Sequence, residues 1–135
     1  MQIVYDNSNS LTDLCEKISS FFVYNNGVRQ EINLNSNQFV KIKNNLFSIF
    51  SNARLEPAFG VSLHELTLNE LKNGQWLELN FANEQTKNSL PFNSLLIKLE
   101  NTGGFNLIRK YKDNYTGRCL YIALEKITDL TSVIN

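Results

Sequence analysis

Residues 93–125 constrain the fold of this chain more than any other stretch. They read NSLLIKLENTGGFNLIRKYKDNYTGRCLYIALE, three short runs separated by two turns that contain glycine. Side chains of a strand alternate between faces. In 105–112, Phe105, Leu107, Arg109 and Tyr111 share one face, while Asn106, Ile108, Lys110 and Lys112 share the other. An even-length turn within 113–117 places Leu120, Ile122 and Leu124, with Arg118, on the face of Phe105 and Leu107. That face is the expected core, since a one-residue slip would bury lysines instead. Leu95, Ile97 and Leu99 reach the same face only through an odd-length turn, which predicts a glycine bulge at Gly103 or Gly104.

Upstream, residues 2–5 read as a short strand. Ser10 reads as an N-cap, followed by a helix in which Leu11, Leu14, Cys15, Ile18, Phe21 and Phe22 share a face, stopped by Asn25-Asn26-Gly27. Residues 28–34 alternate and predict a short strand or an extended linker. Asn35-Ser36 caps a second helix, 37 to about 52, with Phe39, Ile42, Leu46, Ile49 and Phe50 inward and Val40 and Phe47 flanking. Pro57 and Gly60 bracket a turn, and 61–66 reads as a strand. Thr67 caps a short helix over 68–72, closed by Asn73-Gly74. Residues 75–81 form a strand with Leu77, Leu79 and Phe81 on one face. Residues 82–92 read as a polar loop, and 127–134 as a C-terminal helix or a fraying tail.

Helices before strands predict an α+β fold of two layers. N-terminal helices pack on a mainly antiparallel sheet of four or five strands that ends in a C-terminal meander, about 75–125, and the whole chain, 1–135, forms a single domain. The length of 135 residues and 42% hydrophobic content support a sizeable core. The formal net charge is zero, so no global field attracts nucleic acid or an anionic membrane. The N-terminus has neither a basic start nor an apolar core, and no run approaches a membrane span, which predicts a cytoplasmic protein without a membrane role. Over-use of asparagine points to an AT-rich genome, bacterial or phage. Cys15 and Cys119 read as reduced, buried thiols.

His64-Glu65 starts like HExxH, but Leu68 stands where the second histidine belongs. With one histidine and two distant cysteines, no common zinc site assembles, so no metal and no cofactor is expected. Phosphate-loop, dinucleotide and nucleophile-elbow motifs are missing, and no catalytic residue is assigned, although an enzyme using His64 or Glu65 as a base stays open. The chief polar signal is Arg109, Lys110, Lys112 and Arg118 with Tyr111 and Tyr115. A solvated hairpin with Tyr111 stacked on Arg118, a protein interface, and an anion or nucleic-acid contact all account for it. Arg109 is in phase with Leu107, so it should be partly buried and need a partner, either Glu56, Glu65 or Glu78, or an anionic ligand.

The expected function is that of a small non-enzymatic protein that binds another macromolecule, as a regulator, an inhibitor or an immunity-type protein does. The alternative is a binder of a small anion or, less favoured, of nucleic acid at the 109–118 hairpin tip. The candidate binding residues are Arg109, Tyr111, Tyr115, Arg118, His64 and Glu65. A homodimer through Leu96, Ile108 and Tyr121 is a further expectation.

Overall fold

The computed structural model describes residues 11–50, 56–57, 64–87, 90–99, 107–112 and 114–120, with side-chain surroundings for 11–48, 50, 67–86, 91–99 and 108–112. The expectations for 2–5, Ser10, Gly103, Gly104, Tyr121 and 127–134 lie outside the described residues. The chain runs through a 3-10 turn, Thr12–Glu16, then β1 (Ile18–Asn25), β2 (Val28–Glu31) and α1 (Asn37–Phe50). It continues through β3 (Glu56–Pro57), α2 (His64–Glu70), β4 (Gln75–Lys87), β5 (Leu90–Lys98), β6 (Leu107–Tyr111) and β7 (Asn114–Leu120). The seven strands form one sheet in the order β2-β1-β4-β5-β6-β7-β3. Each neighbouring pair is antiparallel.

The first expected helix is a correction. Only Thr12–Glu16 is helical, and Ile18–Asn25 is a strand. Its β-branched and aromatic residues favour a pleated surface. Phe21 and Val23 are buried at a spacing of two. Asn26 and Gly27 lie at φ 49° and 88°, both left-handed, so this pair is a primed hairpin turn between β1 and β2 rather than a helix stop. The Asn26 side chain accepts from Gly74 N at 2.9 Å and its own N–H donates to Gly74 O at 2.8 Å, which ties this turn to the turn before β4. Among the described residues the sheet therefore counts seven strands against the four or five expected, and one long helix, Asn37–Phe50, packs on it.

α1 forms where the spacing of its apolar residues predicts. The Ser36 hydroxyl accepts from Phe39 N at 3.1 Å and satisfies one of the free amides of the first turn. Phe39, Ile42, Leu46 and Phe50 are buried, while Val40 and Phe47 stay exposed. The Phe39 ring meets Phe21 of β1 edge-on at 5.4 Å. The main core joins this helix face and Leu11, Leu14 and Cys15 to Leu77, Leu79, Phe81, Leu95, Ile97 and Leu99 of the sheet. Ser36→Ala should lower stability by about 1 kcal/mol in urea unfolding without moving the helix, because the lost cap exposes an amide to water.

The region expected as a polar loop, 82–92, is strand. β4 runs to Lys87, and Thr86 pairs with Pro91, while between Asn80 and Gln85 the register slips. Residues 64–66 are helical rather than extended. Thr67 lies inside α2, completely buried, and does not cap it. In the meander, Ile97 pairs with Leu107, the register that an odd-length connection requires. Tyr111 pairs with Asn114 across a two-residue turn, but a register shift follows between Arg109 and Lys110. The ladder skips Thr116, so Gly117 stands opposite Arg109 and Cys119, not Leu120, stands opposite Leu107. One inserted residue reverses the phase of β7, and Arg118 falls opposite Ile108.

Candidate binding surface

The reversed phase divides the expected basic cluster between the two sides of the sheet. Arg109 pairs with Leu95 on one side and Gly117 on the other, in phase with the main core. It is half-buried. Its Nη1 donates to the Pro91 carbonyl at 2.9 Å, and its Nε is buried without a hydrogen-bond partner. Glu78, one of the carboxylates expected to pair with it, faces away and serves Arg29 instead. The side chains of Glu56 and Glu65 lie outside the described ones.

Tyr111 is half-buried, with Lys112 Nζ 5.2 Å from its ring centre. Its register partner is Asn114, whereas Arg118 stands opposite Ile108; the Arg118 side chain, expected to stack on Tyr111, lies outside the described ones. Lys110 pairs with Ser94 and Tyr115. The structure thus groups Lys110 with the register positions of Tyr115 and Arg118, and separates them from Arg109 and Tyr111. His64 and Glu65 open α2, which packs beside β7.

The face away from α1 carries a feature that the sequence reading missed. Ser20, Asn80, Ser94, Lys110 and Tyr115 are successive register partners across β1, β4, β5, β6 and β7. Asn80 Nδ2 donates to Ser20 Oγ at 3.1 Å, and Ser94 Oγ donates to Asn80 Oδ1 at 2.6 Å. In the next row, Glu78 is only 5% exposed. Its carboxylate accepts from Arg29 Nη2 at 2.5 Å, Asn80 Nδ2 at 2.7 Å and the Tyr24 hydroxyl at 3.1 Å. The Arg29 guanidinium also lies 3.5 Å from the centre of the Phe22 ring. Burial alone would push the Glu78 carboxyl up. The bonds from Arg29 and Asn80, the Arg29 charge and the Tyr24 hydroxyl outweigh it and hold the group below its ordinary value. The alternation of Trp76, Glu78 and Asn80 against Leu77, Leu79 and Phe81 was the available signal. Reading β1 as helix hid the strand that completes the row.

Beyond this row the same face turns apolar, with Leu71, Trp76, Leu96 and Ile108 buried together. Leu96 and Ile108 are 0% and 1% exposed, so these two residues of the expected homodimer surface are used inside the chain. Among the described residues no group of three His, Cys, Asp or Glu side chains could hold a metal, and no helix is long and apolar enough to cross a membrane. Cys15 is a free, buried thiol that burial pushes up to about 11, so it is protonated at neutral pH.

No family model, no curated protein and no solved structure matches this chain.

Proposed function

We propose that this chain acts without catalysing a reaction, by binding another protein through the sheet face opposite α1, at its β6–β7 end. The observation that supports this reading is the shared register of Lys110 with Tyr115 and Arg118 at the end of the Ser20–Asn80–Ser94 row. Tyrosine and arginine are the usual anchors of protein interfaces, because each offers a large apolar body with a polar end. Ser20, Phe22, Tyr24, Asn80, Lys98 and Lys110 on this face are half-buried, and so keep part of their surface for a partner. A regulator, an inhibitor or an immunity-type protein of a bacterium or phage is the class we infer.

Native mass spectrometry of the protein isolated from its own cells tests the reading. A discrete complex should appear with the wild-type chain. Arg118→Glu and Lys110→Glu should dissolve it while the circular dichroism spectrum and melting temperature hold. A complex that survives both reversals, or a bare chain from native cells, refutes the proposal.

A further inference from the structure

We infer that Arg109 is the anchor of a site for a small oxyanion, a carboxylate or a phosphate group, on the side of the hairpin that faces α1. The site is independent of the protein-binding face, which lies across the sheet.

A guanidinium stays protonated at any pH a folded protein meets, and it presents five N–H donors in a planar fork that matches an oxyanion. Removing such a charge from water is costly unless a counter-charge or several acceptors replace the lost hydration. Arg29 obeys this rule, with Glu78 as its partner. Arg109 does not. It is half-buried, makes no ion pair among the described residues, and gives one donor to a neutral carbonyl, that of Pro91. Its Nε, the donor nearest the backbone, is buried with nothing to accept from it.

The second observation is the neighbour across the ladder. The bond to Pro91 draws Nη1 toward β5. On the β7 side, the residue opposite Arg109 is Gly117, which has no side chain, and the ladder skips Thr116 directly beside it. A bulge leaves its extra residue out of the ladder's pairing and bends the strand, and bulges recur beside binding sites for that reason. A positive charge without a counter-charge among the described residues, an unused buried donor, and a glycine at a bulge thus meet at one register position. An oxyanion bound here accepts from Nε and neutralises the guanidinium, which supplies what the described residues do not.

Arginine Nε–H resonances resolved by heteronuclear NMR give the test on the unaltered protein. Inorganic phosphate and acetate are titrated separately, against sodium chloride at equal ionic strength. The Arg109 Nε–H signal should move and saturate with phosphate, with acetate, or with both, and stay still in chloride. The ion that acts identifies a phosphate or a carboxylate as the preferred group. Arg109→Lys should weaken the response seen at neighbouring backbone amides several-fold, and Lys110→Gln should leave it intact. A still signal with both anions, an equal movement in chloride, or loss of the response in Lys110→Gln alone overturns the assignment.

Discussion

Trp76→Ala is expected to cost about 3–5 kcal/mol, as loss of a large buried aromatic generally does. Trp76 is 1% exposed, and its cluster with Leu71, Leu96 and Ile108 is the apolar half of the face away from α1. The indole N–H also donates to Asn73 O at 3.0 Å, just where the chain leaves the turn after α2 and enters β4. The substitution removes the filling between Leu71 and the sheet and leaves that carbonyl without its donor. A domain of this size has only about 5–15 kcal/mol of total stability, so the variant should sit near its unfolding threshold. Urea unfolding measures it, and Trp76→Phe, which keeps most of the volume, should recover more than half of the loss. A Trp76→Ala midpoint close to wild type would mean that the second cluster contributes little.

Arg29→Met should be the most damaging single change at the surface, by about 1.5–3 kcal/mol at pH 7, the range for a hydrogen bond to a charged group. Arg29 is itself 45% exposed, which favours the lower end. The larger effect falls on its partner. In the wild type the folded Glu78 carboxyl lies below its ordinary value. Its contribution to stability is therefore complete above the unfolded carboxylate range, and is lost as the pH falls through the folded value. Without Arg29 only the bonds from Asn80 and Tyr24 offset the desolvation, and the carboxyl rises from its wild-type position. The variant then loses less stability than the wild type as Glu78 takes up a proton. The gap between the two proteins should narrow steadily from pH 7 to pH 4, whereas Glu78→Gln should flatten this part of the acid limb. A gap independent of pH would show that Arg29 acts through its packing on Phe22 rather than through the carboxylate.

Elements whose signal lies within one segment were legible in the sequence. α1 followed from the spacing of Phe39, Ile42, Leu46 and Phe50 and from the cap at Ser36. The alternation of Leu77, Leu79 and Phe81 marked the buried face of β4, and the odd connection between β5 and β6 followed from matching Ile97 with Leu107. β1 was not legible, because Leu14, Cys15, Ile18, Phe21 and Phe22 fit a helical stripe, while β4, with which Ile18, Phe21 and Phe22 pair, is distant in the chain. A residue skipped at Thr116 changes no local propensity, yet it carries Arg118 to the other side. For the site, the half-burial of Arg109 followed from its phase with Leu107. Its partner did not, because the acceptor is a backbone carbonyl in a stretch whose composition reads as loop.

Placing β4 between β1 and β5 has a consequence for how the chain acquires its structure. Tyr24 and Glu78, which bond across the β1–β4 seam, are 54 residues apart. Ribosomes add roughly 5–20 residues per second, so the β1–β2 hairpin and α1 emerge several seconds before the strand that will complete them. During that interval β1 presents an unpaired edge bearing Phe21 and Val23, the kind of template on which chains aggregate. Long-range pairing of this sort also places the molecule among slow folders, in the millisecond-to-second range. The Asn26–Gly27 turn acts early, since a two-residue hairpin closes in microseconds and occupies one edge of β1 while the other waits. Yield in a fast-translating host should therefore depend on the strength of that turn more than its position at the rim of the finished sheet would suggest.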